Sequence, residues 1–121
     1  MISRSELNPH SYTLTPEQEA NQQVLLVRIN KIRTAWGRPM IVTSGVRSEA
    51  DQARINPSAP RSKHIIGAAV DIADADGSLY AWCKENEAEL EAAELWCEER
   101  QGGWQHFQCI PPKSGKRWFN P

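Results

Sequence analysis

The chain has 121 residues, 40% of them hydrophobic, which suffices for one compact core and falls short of two ordinary domains, so residues 1–121 are expected to form a single domain. Its 14 Lys and Arg against 15 Asp and Glu leave a formal net charge of -1, which argues against a protein held to nucleic acid by many phosphate contacts. No stretch approaches the ~20 apolar residues of a membrane span, and the N-terminus lacks the apolar core of a secretory signal, so the expectation is a soluble monomer made in the cytoplasm.

The first dozen residues carry few apolar positions. Thr15-Pro16-Glu17 then supplies an N-cap, a first-turn proline and an early acid, which predicts a helix start. Leu25, Ile29, Ile32 and Trp36 recur at helical spacing, with Leu26 and Val27 widening the stripe until Gly37 stops it. Met40 to Ser44 reads as a short strand ended by Gly45, and Ser48-Glu49-Ala50-Asp51 as a cap opening a brief helix through Ile55. Asn56 to Ser62 has loop composition and delivers the chain to His64. Ala68 to Ala73 reads as a buried strand whose polar member is Asp71.

Asp76-Gly77-Ser78 can start a second main helix presenting Leu79, Trp82, Cys83 and Leu90 to the core and glutamates outward. Leu95-Trp96-Cys97 and Trp104 to Ile110 look like two strands of a hairpin, and Pro111-Pro112 ends the second. In the basic and aromatic tail, docking Trp118 and Phe119 against the domain is the economical reading. The layout is α+β with an antiparallel sheet. Cys83, Cys97 and Cys109 are odd in number and form no CxxC pair, so they are read as buried thiols. His10 is read as a surface residue.

His64, Asp71 and His106 stand inside apolar segments that need no polar residue for packing. Burying a carboxylate in Ala-Ala-Val-Asp-Ile-Ala is costly without a partner, and a metal cation is one such partner. Two imidazoles and a carboxylate also leave a fourth tetrahedral position open, as catalytic zinc sites do. Three satisfied core groups fit the composition equally well. In a straight strand His64 and Asp71 would lie more than about 20 Å apart on opposite faces, so a metal site requires a bend, which Gly67 can supply.

Ser44-Gly45-Val46-Arg47-Ser48, the stretch from Ser62 to Asp71 (SKHIIGAAVD), and Trp104-Gln105-His106 together resemble the SGYRS, SxHxxGxAxD and WxH signatures of the zinc D-alanyl-D-alanine carboxypeptidase family. That family includes carboxypeptidases that trim wall precursors and phage endolysins that cut wall peptides. The resemblance implies a hedgehog or DD-peptidase-like fold with Zn2+ held on a small antiparallel sheet by His64, Asp71 and His106. It makes Arg47 a substrate-side group, gripping a peptide carboxylate or stabilising an oxyanion, for which a forked, always-charged guanidinium is suited. Ser62 is expected to orient the metal loop or to cap its turn.

Val46 departs from the family's common tyrosine. Some members carry the catalytic acid three residues before the last histidine, where this chain has Gly103. In others a glutamate ends the preceding strand in a Leu-Trp-x-Glu pattern, which Leu95-Trp96-Cys97-Glu98 resembles. Glu98 is thus the expected general base and Glu99 its rival, since neighbours on a strand face opposite sides. The implied activity is hydrolysis of an amide bond in a peptidoglycan stem peptide, of D-Ala-D-Ala carboxypeptidase or L-Ala-D-Glu endopeptidase type. Gly103 motivates an alternative, a zinc-stabilised, catalytically silent domain that binds wall peptides or an assembly partner. The small size resembles phage-encoded members, acting at the wall after release or on cytoplasmic precursors.

Overall fold

The computed structural model describes residues 1–58 and 62–120. The part of the predicted 56–62 loop formed by residues 59–61 therefore lies outside the described residues. In chain order the elements are α1 (Arg4–Leu7), α2 (Pro16–Trp36), β1 (Val42–Ser44), α3 (Glu49–Ile55), β2 (Ala69–Ala73), α4 (Ser78–Glu85), α5 (Glu87–Ala93), β3 (Trp96–Glu98), β4 (Trp104–Gln108) and β5 (Trp118–Phe119). Among the described residues no helix is long and apolar enough to cross a membrane.

The predicted start of α2 holds: Thr15 and Gln18 form a reciprocal capping box, Pro16 opens the helix, and Gly37 closes it in the left-handed region at φ 76°. Leu25, Ile29 and Ile32 are buried, while Val27 is 59% exposed, so the apolar stripe is narrower than its sequence suggests. The second helix is interrupted. Asn86 bonds its side-chain amide to the Trp82 carbonyl at 2.8 Å, competing with the helical ladder, and the chain restarts as α5.

The sheet order is β1-β2-β4-β3-β5. β2, β4 and β3 pair antiparallel, as does β1 with β2, but β5 lies parallel to β3. The α+β class is as expected, and the sheet is mixed rather than purely antiparallel. β4 ends beside the start of β3, where Gln108 faces Trp96, so the chain needs only step past β3 to run along its outer edge in the same direction. Trp118 and Phe119 thus dock as a strand.

One face of the sheet packs Val70, Ile72, Cys97 and Phe107 against Leu25, Ile29 and Ile32 of α2, Leu79 and Cys83 of α4, and Leu90 of α5. The three cysteines are free and buried, as expected. The opposite face carries polar side chains, including Asp71, His106 and Gln108.

The short α1 was not foreseen, and it has a definite use. Its capping box of Ser3 and Glu6 sets the helix, Leu7 is buried, and the Leu7 carbonyl accepts from the Val46 N–H at 2.9 Å. The contact is so close that a Cβ on Gly45 would lie 2.1 Å from that carbonyl oxygen. Gly45→Ala should therefore cost about 1–3 kcal/mol, the usual range for overpacking, read as a lower denaturant midpoint. An unchanged midpoint would show that α1 does not press on this turn.

Candidate metal centre

Cross-strand pairing builds a row of side chains on the polar face. Asp71 on β2 is directly opposite His106 on β4. The β3–β4 register, Trp96 with Gln108 and Cys97 with Phe107, sets Glu98 opposite His106 when continued by one residue, and Glu98 in turn faces Phe119 on β5. Residues directly opposite one another project to the same face, so the row runs Asp71, His106, Glu98, Phe119.

His64 reaches this row from the loop before β2. Gly67 bends that loop at φ 75°, the turn expected of it. Three side-chain amides of α2 hold the bend: Gln18 donates to the Ile65 carbonyl, Asn21 to Ile66 and Gln22 to Gly67, each at 2.8 Å. Ser62 caps the entry, its hydroxyl accepting from the His64 backbone N–H at 3.3 Å.

The result brings the three candidate ligands together, with one donor atom from each within 4.8 Å of the others. His64 Nε2 is 3.2 Å from Asp71 Oδ2, and His106 Nδ1 is 2.9 Å from Asp71 Oδ1. Ligand atoms arranged tetrahedrally at ~2.0 Å from zinc are separated by about 3.3 Å, close to these spacings.

Hydrogen bonding tests the fit. His64 Nδ1 is 2.8 Å from the Gly45 carbonyl and His106 Nε2 is 2.8 Å from Gln108 Oε1, both acceptors, so each ring carries a proton on its outer nitrogen. Both inner nitrogens then turn lone pairs towards the Asp71 carboxylate. Acceptors facing acceptors in a buried site need a proton or a cation between them, and a divalent metal serves all three at once. Without metal the same placement favours a proton at His106: burial, the largest single influence, works against the charged ring, but the hydrogen bond and charge of Asp71, the charge of Glu98 and the bond to Gln108 together outweigh it and raise the pKa. Burial also works to raise the Asp71 carboxyl, yet the two imidazoles hold it well below the usual carboxylate range. At His64 burial prevails and lowers the pKa. The donor set fits zinc, whose loading would compete with protonation of His106.

Arg47 is held beside this set. Its Nε donates to Ser44 Oγ at 2.9 Å, its Nη1 to Gln52 Oε1 at 2.8 Å, and its Nη2 reaches Asp71 Oδ2 at 3.4 Å. Together with Ser62, Glu98, Trp104 and Phe119 it lines a cavity of about 600 Å³ that opens over the three ligands. Glu98 is half-buried there, and burial raises its pKa, with Asp71 adding to the effect and His106 and Arg47 opposing it.

Glu99 is not brought to the cavity. It points to the other side of β3, where Lys84 Nζ lies at 2.5 Å and the Tyr80 hydroxyl at 2.7 Å, and these bonds lower its pKa. Gly103 carries no acid, and its carbonyl accepts from the Asp74 N–H at 2.8 Å. His10 is exposed and its ring lies tilted against Tyr12, with centroids 5.7 Å apart, away from the cluster. Sequence reasoning passed over Gln108 and Phe119. The first carried a usable signal, since residues two apart on a strand share a face. The second carried none, because its place depends on β5 joining the sheet.

A family model described as Peptidase M15 matches residues 3–104. The chain belongs to the peptidase M15 family. The match includes His64, Asp71, Arg47 and Glu98 and ends before His106, so the place of His106 in this M15 member rests on its register opposite Asp71. The structure is also similar to the crystal structure of the L-Ala D-Glu endopeptidase ChiX of Serratia marcescens, with a TM-score of 0.50 and 24% identity, covering 86% of this chain and 95% of that one. That likeness is one of fold. No curated protein sequence matches the chain.

Proposed function

We propose that this M15 family member is a zinc-dependent peptidase that hydrolyses an amide bond in a peptidoglycan stem peptide, with His64, Asp71 and His106 as ligands. The observation that carries the reading is the alignment of Glu98 with Asp71 and His106 in one cross-strand row facing one cavity. A catalytically silent wall-peptide or partner-binding domain does not require a carboxylate at that point, so Glu98 favours the enzyme reading.

When bound, zinc supplies Lewis acidity that acidifies water and polarises the amide carbonyl. Glu98 accepts a proton from the attacking water on its carboxylate and returns it to the leaving nitrogen, work that suits a carboxyl whose pKa burial has raised. Arg47, pre-positioned by Ser44 and Gln52, presents its guanidinium where an oxyanion develops or where a peptide carboxylate docks. Trp104 and Phe119 add apolar wall that holds the peptide and excludes solvent. Both neighbouring assignments of the scissile bond, D-Ala-D-Ala and L-Ala-D-Glu, suit such a cavity.

Mass spectrometry of purified peptidoglycan after digestion tests this. Loss of terminal D-Ala identifies a carboxypeptidase, and stem fragments that begin at D-Glu identify an endopeptidase. Either release should vanish with chelator and return with added zinc. Digests of several wall chemotypes that yield no fragment would overturn the reading.

A further inference from the structure

We propose that Gln108 is a positioning residue for the metal centre, its side-chain amide holding His106 in the tautomer that turns Nδ1 towards the metal. The inference rests on the zinc reading above and adds to it a residue outside the three ligands.

Gln108 is 3% exposed and lies two residues beyond His106 on β4, hence on the same face. Its Nε2 donates to the Ile110 carbonyl at 2.8 Å, and its Oε1 stands 2.8 Å from His106 Nε2. The Ile110 carbonyl decides which way the amide faces. A flipped amide would set Oε1 against that carbonyl, two acceptors in a buried place with no proton between them. Pro111 restricts the backbone of Ile110 and so steadies the carbonyl.

The chain of bonds therefore runs from Ile110 through Gln108 to His106 Nε2, and leaves the Nδ1 lone pair facing Asp71 and His64. His64 has a parallel device in its bond to the Gly45 carbonyl. That acceptor belongs to the backbone and survives any substitution, whereas the one serving His106 is a side chain and can be removed.

Zinc affinity, measured by competition with a chromogenic chelator, should fall by about 10–100-fold in Gln108→Leu, the usual cost of losing a partner behind a metal ligand. Gln108→Glu keeps an acceptor facing Nε2 but sets its second oxygen against the Ile110 carbonyl, so it should recover part of that loss. Imidazole nitrogen NMR of the zinc-loaded protein should show a protected His106 Nε2 proton in the wild type and in Gln108→Glu, and none in Gln108→Leu. Zinc bound within twofold by Gln108→Leu and wild type would overturn the inference and leave the proposed function standing, as would a His106 Nε2 proton equally protected in Gln108→Leu and wild type. A wild-type chain that binds no zinc would overturn both.

Discussion

Glu98→Gln should lower turnover of a stem peptide by about 10²–10⁴-fold, the range for a lost general acid–base, with zinc content unchanged. Glu98 faces the cavity from the row that includes His106 and Asp71, and glutamine keeps its shape while removing its capacity to hold a proton. Glu99→Gln is the control. Its carboxylate serves Lys84 and Tyr80 on the other side of β3, so turnover should stay within about twofold of wild type. The reverse outcome, turnover lost at Glu99 and kept at Glu98, would reject the assignment.

The same substitution carries an opposite expectation for stability. Burial raises the Glu98 pKa, so protonation favours the folded state. That contribution is fully present below the ordinary glutamate pKa of about 4.3 and is lost as pH rises through the raised value. At neutral pH the ionised carboxylate is therefore a cost to the metal-free fold, which glutamine avoids. Metal-free Glu98→Gln should melt above metal-free wild type at pH 7, and the gap should close as the pH falls below about 4. A lower melting temperature at pH 7 would show that Glu98 makes a structural contact that its function does not need.

Zinc at about a thousand times its dissociation constant should raise the unfolding temperature by roughly 10–20 °C. Binding to the folded state alone contributes about 4 kcal/mol at that concentration, and chains of this size shift by roughly 3–5 °C per kcal/mol. Asp71→Asn should abolish the shift, because the carboxylate bridges both imidazoles. It should also weaken the metal-free protein by roughly 3–5 kcal/mol, since Arg47 loses its buried counter-charge. Differential scanning calorimetry with and without chelator reads both effects. A thermal shift of full size in Asp71→Asn would remove Asp71 from the ligand set.

Much of the local structure was legible along the chain. Thr15-Pro16 and Ser48 cap helices where they were expected to, because a cap is decided by two or three adjacent residues bonding to nearby N–H groups. Gly67 takes the bend required to bring His64 to Asp71, because only a glycine enters that region without penalty. Other features were out of reach. The burial of Leu7, the pressure of α1 on Gly45 and the parallel entry of β5 each depend on segments far apart in sequence.

By itself the sequence determined the family, the three candidate ligands and the need for a turn between the first two, since all are written in short runs of neighbouring residues. Tertiary structure alone decided that Glu98 rather than Glu99 meets the cavity, that Phe119 closes its wall, and that Gln108 stands behind His106. Strand parity tells which residues share a face but not which face meets which partner, and that is settled only when β3, β4 and β5 pair in register.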